Sequence, residues 1–273
     1  MSLTLLYPSD PFHPKKEIID SLWQEEAAAL AACGFETRVI DTDNLNGVNW
    51  KKYTDSNFLY RGWMLTPDLY EKIEQKLNEV NARFIYNAEQ YASTHYLPGW
   101  YEHVRNYTAE TIIVDNPREL KETINKLNWS EGYFLKDFVK SLKTGAGSRI
   151  SNADNVDLVL KEMAHYRGVI EGGICIRRHL EIMPNTEVRY FALNGIVYSP
   201  SSDAIPEMAT NIASKFKDTF ISIDIAKLKS GELTLIEIGN GQVSDSVGWK
   251  IDAFAKMIFD SHKHYFEQSL SFN

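Results

Sequence analysis

Cysteine is scarce in this chain: two in 273 residues, Cys33 and Cys175. Two thiols make no disulfide framework, so a packed core must hold the fold. Both lie in apolar patterns and read as small buried residues, which fits a reducing compartment. No apolar run approaches the roughly 18 residues of a membrane-spanning helix. The first ten residues have no basic segment and soon meet Pro8 and Pro11, so they do not read as a signal peptide. The expected location is the cytoplasm. Positive charge is in deficit too, with 29 Lys+Arg against 37 Asp+Glu and a net charge of −8. That removes the bulk field of a general nucleic-acid binder, although a local cationic patch can still hold a polyanion such as ATP. A glycine-rich phosphate turn is missing after the first strand, where the chain reads Tyr7-Pro8-Ser9-Asp10-Pro11. No Ser-His-Asp or Cys-His arrangement is recognisable.

What is present is an ordinary globular composition, 44% hydrophobic and 24% charged, long enough to bury a core. The first third alternates strand and helix. Leu3 to Tyr7 is an apolar run. Pro14 opens a helical pattern carried by Ile18, Ile19, Leu22, Trp23, Ala27 and Leu30 and stopped at Gly34. Phe35–Ile40 and Asn57–Leu65 read as strands, and Thr66-Pro67 starts a helix. This pattern predicts a parallel, Rossmann-like α/β layer. Residues 84–108 are rich in Tyr, Trp and His, which suits either packed helices or a substrate-facing wall.

From Glu110 onward the texture becomes α+β, which places the expected boundary between residues 1–108 and 109–273. Thr111–Val114, Gly132–Leu142 and Ile174–Ile182 read as strands. Asp154 reads as the cap of a helix ending near Tyr166. Asn194-Gly195 is a strong hairpin signal, and a second hairpin turns near Ser230-Gly231. Residues Lys250 to Gln268 read as an amphipathic helix.

Several charged residues interrupt apolar strands. Asp224 lies in Ile221-Ser222-Ile223-Asp224-Ile225, and Glu237 in Leu235-Ile236-Glu237-Ile238-Gly239-Asn240. A carboxylate there is costly unless it is paired or binds a metal. Two of them with the Asn240 amide make a hard-oxygen site suited to Mg²⁺; two acids on a solvated sheet face would give the same pattern. Lys136 in Tyr133-Phe134-Leu135-Lys136 fits a phosphate clamp, an ion pair or an edge-strand lysine. The following loop, Lys143 to Ser148, has small residues that let backbone N–H groups approach phosphate, without Walker spacing. Arg177 and Arg189 are strand arginines, able to fork onto phosphate or to form cross-strand pairs.

Taken in order, these residues resemble the ATP-grasp superfamily. The likeness extends over roughly residues 110–270 and, more loosely, to the front of the chain as its usual N-terminal domain. It is strongest to a divergent branch marked by two strand arginines and one lysine. That branch includes the eukaryotic assembly chaperone of a translation initiation factor and many bacterial and phage proteins. Arg189-Tyr190-Phe191, Asp224-Ile225-Ala226 and Glu237-Ile238-Gly239-Asn240-Gly241 carry the resemblance. It implies that Lys136 contacts the α/β-phosphates, that the backbone of Arg178, His179 and Leu180 meets adenine, and that Glu187 meets the ribose. Asp224, Glu237 and, with an altered spacing, Asn240 would hold Mg²⁺. Arg189 and Arg177 would neutralise the γ-phosphate or an acyl-phosphate. Arg61, Asn87, Arg149 and His95 are candidates for the acceptor side, with a purely structural Arg61 or His95 equally in view. The implied activity is ATP-dependent joining of a carboxylate to an amine, on a small molecule or a peptide. An ATP-binding assembly factor with little ligase activity is the alternative, and a phosphotransferase a further one. The Lys143–Arg149 loop is expected to close over the phosphates.

Overall fold

The computed structural model describes residues 3–139, 141, 147–167 and 170–270. In chain order its elements are β1 (Leu3–Pro8), α1 (Gln24–Ala32), β2 (Glu36–Ile40), β3 (Asn57–Tyr60), α2 (Pro67–Asn78), β4 (Arg83–Phe84), α3 (Ala88–His95), α4 (Leu97–Val104), β5 (Thr111–Val114), α5 (Leu120–Leu127), β6 (Tyr133–Asp137), β7 (Arg149–Ile150), α6 (Val156–Arg167), β8 (Ile174–Arg178), β9 (Val188–Leu193), β10 (Ile196–Tyr198), α7 (Glu207–Ala213), β11 (Phe220–Lys227), β12 (Leu233–Asn240) and α8 (Ile251–Leu270). The class is mixed α/β, as the alternation of patterns predicts. Two compact units form. Unit 1 comprises Met1–Ala92, Arg189–Ser222 and Gly239–Asn273; unit 2 comprises Ser93–Val188 and Ile223–Ile238. Unit 1 therefore draws residues from both sides of position 108. Among the described residues no helix is long and apolar enough to cross a membrane.

Unit 1 is built on a parallel sheet in the order β2-β1-β3-β4. Alternation along the strands sends side chains to two faces. Leu3, Leu5, Tyr7 and Leu59 join α1, Phe191, Phe220 and the α8 residues Phe254 and Ile258 in one core. Leu6, Phe58 and Tyr60 join the α2 residues Tyr70, Ile73 and Leu77 in another. Burial on both faces explains why these strands are apolar throughout.

The helical pattern after Pro14 is corrected. Only a short 3-10 turn, Pro14–Lys16, forms there, and α1 begins at Gln24. Glu17 adopts a left-handed conformation (φ 54°), which stops the turn. Ile19 then bridges Ser9 and Asp20 N–H donates to Pro8 O, so the segment is tied to the end of β1. Ile18 and Leu22 remain exposed. The expected Asp154 cap is corrected as well. Asn152 is the capping residue, and its Oδ1 accepts the Asp154 N–H in the turn that leads into α6.

Unit 2 contains the antiparallel sheet β5-β8-β6-β7. One face, with Tyr133, Leu135, Ile174 and Ile176, packs on Leu120 and Ile124 of α5 and Val159 and Met163 of α6. Period-two alternation puts Phe134, Lys136, Cys175 and Arg177 on the opposite face. A third sheet has the order β10-β9-β11-β12. Its β9–β10 hairpin turns at Asn194 (φ 52°) and Gly195 (φ 83°), the left-handed pair that a two-residue turn requires. Along the chain, β11 enters unit 2 at Ile223 and β12 returns to unit 1 at Gly239.

Candidate functional site

On the open face of the unit 2 sheet, the register sets Lys136 opposite Cys175 and Phe134 opposite Arg177. Lys136 is 3% exposed and its Nζ pairs with Glu237 Oε1, whose side chain is 37% exposed. Thus the strand lysine and one of the two strand acids meet, although 101 positions separate them in sequence. Arg177 lies beside them. Its Nη1 donates to Ile236 O at 2.8 Å, the carbonyl before Glu237, and its Nη2 donates to Thr108 Oγ1 at 2.5 Å. Thr108 in turn donates to Leu235 O at 2.7 Å. Arg177 Nε is buried without a hydrogen-bond partner.

These acceptors are neutral, so the Arg177 charge has no carboxylate in hydrogen-bond contact among the described contacts. Burial lowers its pKa from the ordinary arginine value, and the Glu237 carboxylate works in the opposite direction. Burial also pushes the Cys175 thiol up to about 12, against the pull of Lys136 and Arg177. The thiol is neutral at physiological pH and acts as a packing residue. Asp224 is 3% exposed on β11, the strand beside β12. Asp224 and Glu237 are hard oxygen donors, and one or two carboxylates with substrate phosphates are the usual protein share of a Mg²⁺ site. The donor chemistry therefore fits that ion. Among the described residues no cluster of three His, Cys, Asp or Glu forms a self-sufficient metal site.

The run expected to meet adenine is partly engaged. Arg178 N–H donates to Glu110 O and His179 N–H to Gly132 O. The Arg178 guanidinium pairs with Glu110 Oε2 at 3.0 Å and lies over the Trp129 ring. Burial, with Arg149 second, lowers the His179 pKa. Leu180 is half-buried, and Glu187 and Arg149 are exposed. His95 is buried, with Nε2 3.8 Å from Glu171 Oε1. Residues 142–146 of the glycine loop, and the closure expected of it, lie outside the described residues.

Unit 1 holds the remaining candidates. Arg61 is a correction to the expected substrate role. It is fully buried, and its Nε and Nη2 fork onto Glu26 Oε1 and Oε2 at 2.8 and 2.6 Å. Nη1 donates to the carbonyls of Ser244, at 3.0 Å, and Gly241. A guanidinium so enclosed has no surface to offer a substrate. Asn87 exchanges side-chain and backbone hydrogen bonds with Gln90 at the start of α3. It lines a cavity of about 560 Å³ with Leu3, Asn57 and Arg83, the first residues of β1, β3 and β4, whereas Arg61 follows the last residue of β3. Asn240 is 2% exposed and its Oδ1 accepts the Gln242 N–H at 3.0 Å, closing a turn. Arg189 pairs with Asp245, through both its Oδ1 and its backbone carbonyl.

Thr108 and Glu26 are absent from the sequence-based candidates. Nothing marks a lone threonine as a partner of Arg177. Glu26 sits in Gln24-Glu25-Glu26-Ala27, which reads as the solvated face of a helix, and only the fold brings it to Arg61.

No curated protein sequence matches the chain. Solved structures do resemble it in fold. D-cycloserine synthetase DcsG superposes with a TM-score of 0.63 at 11% identity, covering 95% of this chain and 99% of that one. The macrocyclase MdnC of Microcystis aeruginosa MRC, bound with its precursor peptide MdnA, gives 0.59 at 12% identity, covering 95% and 100%. The ATP-grasp ligase PsnB, complexed with a minimal precursor, Mg and ADP, gives 0.55 at 11% identity, covering 96% and 98%. The family model for the ATP-grasp domain of the two-arginine, one-lysine clade, family 3, matches residues 74–258, which include the Lys136–Glu237 pair, Arg177 and Arg189. The chain belongs to the ATP-grasp superfamily, in family 3 of that clade.

Proposed function

We propose that the protein is a Mg-ATP-dependent carboxylate–amine ligase that works through an acyl-phosphate on a small carboxylate, an amino acid or a peptide. The observation that carries this reading is the charge arrangement of unit 2. Two cations, Lys136 and Arg177, are buried on one sheet face, and the carboxylate beside them is partly open to solvent. Burying a charge on neutral acceptors is costly, and an arriving phosphate would offset that cost. The fold likeness to ligases whose structures hold precursor peptides, or Mg and ADP, agrees with the reading.

Lys136 would take the α/β-phosphates, and Arg177 and Arg189 the charge that develops during phosphoryl transfer. Arg178, His179 and Leu180 would border adenine, with Leu180 supplying the backbone donor, since the N–H groups of the other two are engaged. Glu187 would meet the ribose, and Arg149 would serve the acceptor side. Asp224 and Glu237 would hold Mg²⁺, which when bound adds positive charge against the transferring phosphoryl oxygens. Asn240 is assigned to its turn rather than to the ion. In the first step a carboxylate oxygen attacks the γ-phosphorus, and the bond from phosphorus to the β-phosphate bridging oxygen breaks, releasing ADP. An amine nitrogen then attacks the acyl carbon, phosphate leaves, and the nitrogen loses a proton.

Titration calorimetry of Mg-ATP into the wild type and into Asp224→Asn/Glu237→Gln tests this. Binding should require Mg²⁺ and weaken by about 100-fold or more in the double variant. Amino acids and peptides are then screened for stoichiometric release of ADP and phosphate. A folded wild type that binds no Mg-ATP would sink the ligase reading.

A further inference from the structure

Unit 1 contains a chain of alternating charges that begins in its core. Glu26 is 4% exposed and accepts from Tyr7 Oη at 3.1 Å as well as from the Arg61 fork. The Arg61 guanidinium lies 4.7 Å from the Phe254 ring centroid and 5.3 Å from that of Trp23. Its third nitrogen reaches the carbonyls of Gly241 and Ser244, in the turn that follows β12. That turn is specified closely. Gly62 N–H donates to Gln242 O, Gly241 N–H to Phe220 O, and Ser244 Oγ to Asn240 O. A Cβ at Gly241 would collide with the Phe220 ring, so only glycine fits this approach.

Asp245, the next residue, holds Arg189 by its carboxylate and its carbonyl. Trp249 Nε1 fixes the Arg189 backbone carbonyl at 2.9 Å. The order of charge is Glu26 minus, Arg61 plus, Asp245 minus, Arg189 plus. Burial alone would lower the Arg61 pKa, yet Glu26, Tyr7 and Asp245 outweigh it and hold it raised, so Asp245 lies within the electrostatic reach of Arg61. A buried ion pair is a weak source of stability and is more readily explained as a device that fixes geometry.

We propose that Arg61, seated on Glu26, is a positioning residue that sets the Gly241–Asp245 turn and thereby the direction of the Arg189 guanidinium. The proposal rests on the reading of Arg189 as a cation for the γ-phosphate. Arg61 itself touches no substrate.

The test compares Mg-AMPPNP and Mg-ADP binding by calorimetry, with thermal unfolding recorded alongside. The variants are Arg189→Lys, Asp245→Asn, Arg61→Lys and the double variant Arg61→Lys/Arg189→Lys. The wild type should prefer AMPPNP. Each single variant should lose about tenfold of that preference while ADP binding stays within about twofold. The double variant should lose no more than Arg189→Lys alone, because the two residues act through one guanidinium. If Arg61→Lys fails to fold, Glu26→Gln takes its place with the same expectations. Equal weakening of both nucleotides, an unchanged preference, or losses that add in the double variant would each overturn the positioning role while leaving the ligase reading intact. A wild type that binds neither nucleotide overturns the ligase reading and this proposal together.

Discussion

Each unit buries a basic side chain near a glutamate, and the two arrangements differ in how much remains unspent. In unit 1 the Arg61–Glu26 pair is closed. Both side chains are at most 5% exposed, the fork is bidentate, and the remaining nitrogen lies on two carbonyls. In unit 2 the pairing is open. Glu237 keeps part of its carboxylate in solvent, Arg177 lies on neutral acceptors, and its Nε has no partner. Burial alone therefore does not separate a structural cation from a ligand-binding one. The useful measure is whether the surrounding groups already satisfy the charge and every donor.

The largest difference should appear in stability. Arg61→Leu leaves Glu26 buried and unpaired, and should cost about 3–5 kcal/mol. Arg177→Leu leaves only neutral acceptors behind and should cost about 1–2 kcal/mol. Urea denaturation of both variants decides; equal losses would break the distinction between closed and open pairs. Nucleotide affinity should show the reverse order. Lys136→Met should weaken Mg-ATP binding by about 100-fold, or about 2.7 kcal/mol, with folding stability altered by about 1 kcal/mol or less, since water can reach Glu237. Calorimetry combined with thermal unfolding measures both terms.

A smaller effect is expected at Thr108→Val, which keeps the shape but removes the hydroxyl between Arg177 and Leu235 O. A loss of about 1–2 kcal/mol in stability, with weaker Mg-ATP binding, would place Thr108 in the support of Arg177. An unchanged nucleotide affinity would limit it to packing. The smallest effect concerns the thiol on the same face. With a folded pKa of about 12 against an ordinary 9.0, Cys175 stays protonated in the fold while the unfolded chain ionises. Its contribution is fully present below pH 9.0 and is lost as the pH rises toward about 12. The stability difference between wild type and Cys175→Ala should shrink over that window. A difference that does not vary with pH would mean that the thiol is not sealed from solvent.

Much of this was legible from local pattern. Period-two alternation located Lys136, Glu237, Asp224 and Arg177 on strands, and Asn194-Gly195 located a hairpin, because these signals depend on a few neighbouring residues. The ordered series of charged strands also pointed to the family. What stayed hidden depends on pairing across distance. Arg61 looked free for a substrate because its partner Glu26 lies 35 residues earlier, on a helix whose start the Ser9–Ile19 bridge displaces. Asn240 looked available for a metal until its turn with Gln242 formed. Arg61 and Arg177 are each one basic residue in an apolar context, and sequence has no term for the acceptors that complete one of them and not the other.

The core of unit 1 has a consequence for synthesis. Leu3, Leu5 and Leu30 are covered partly by Phe254, Ala255, Met257 and Ile258 of α8. On a ribosome, the apolar face of the first sheet must therefore stand open while the chain from Ala92 to Ile258 is made. At about 5–20 residues per second that interval is roughly 10–30 s. During it the nascent chain offers a large uncovered hydrophobic surface, so production of soluble protein should respond more to holdase chaperones than to the stability of the finished fold.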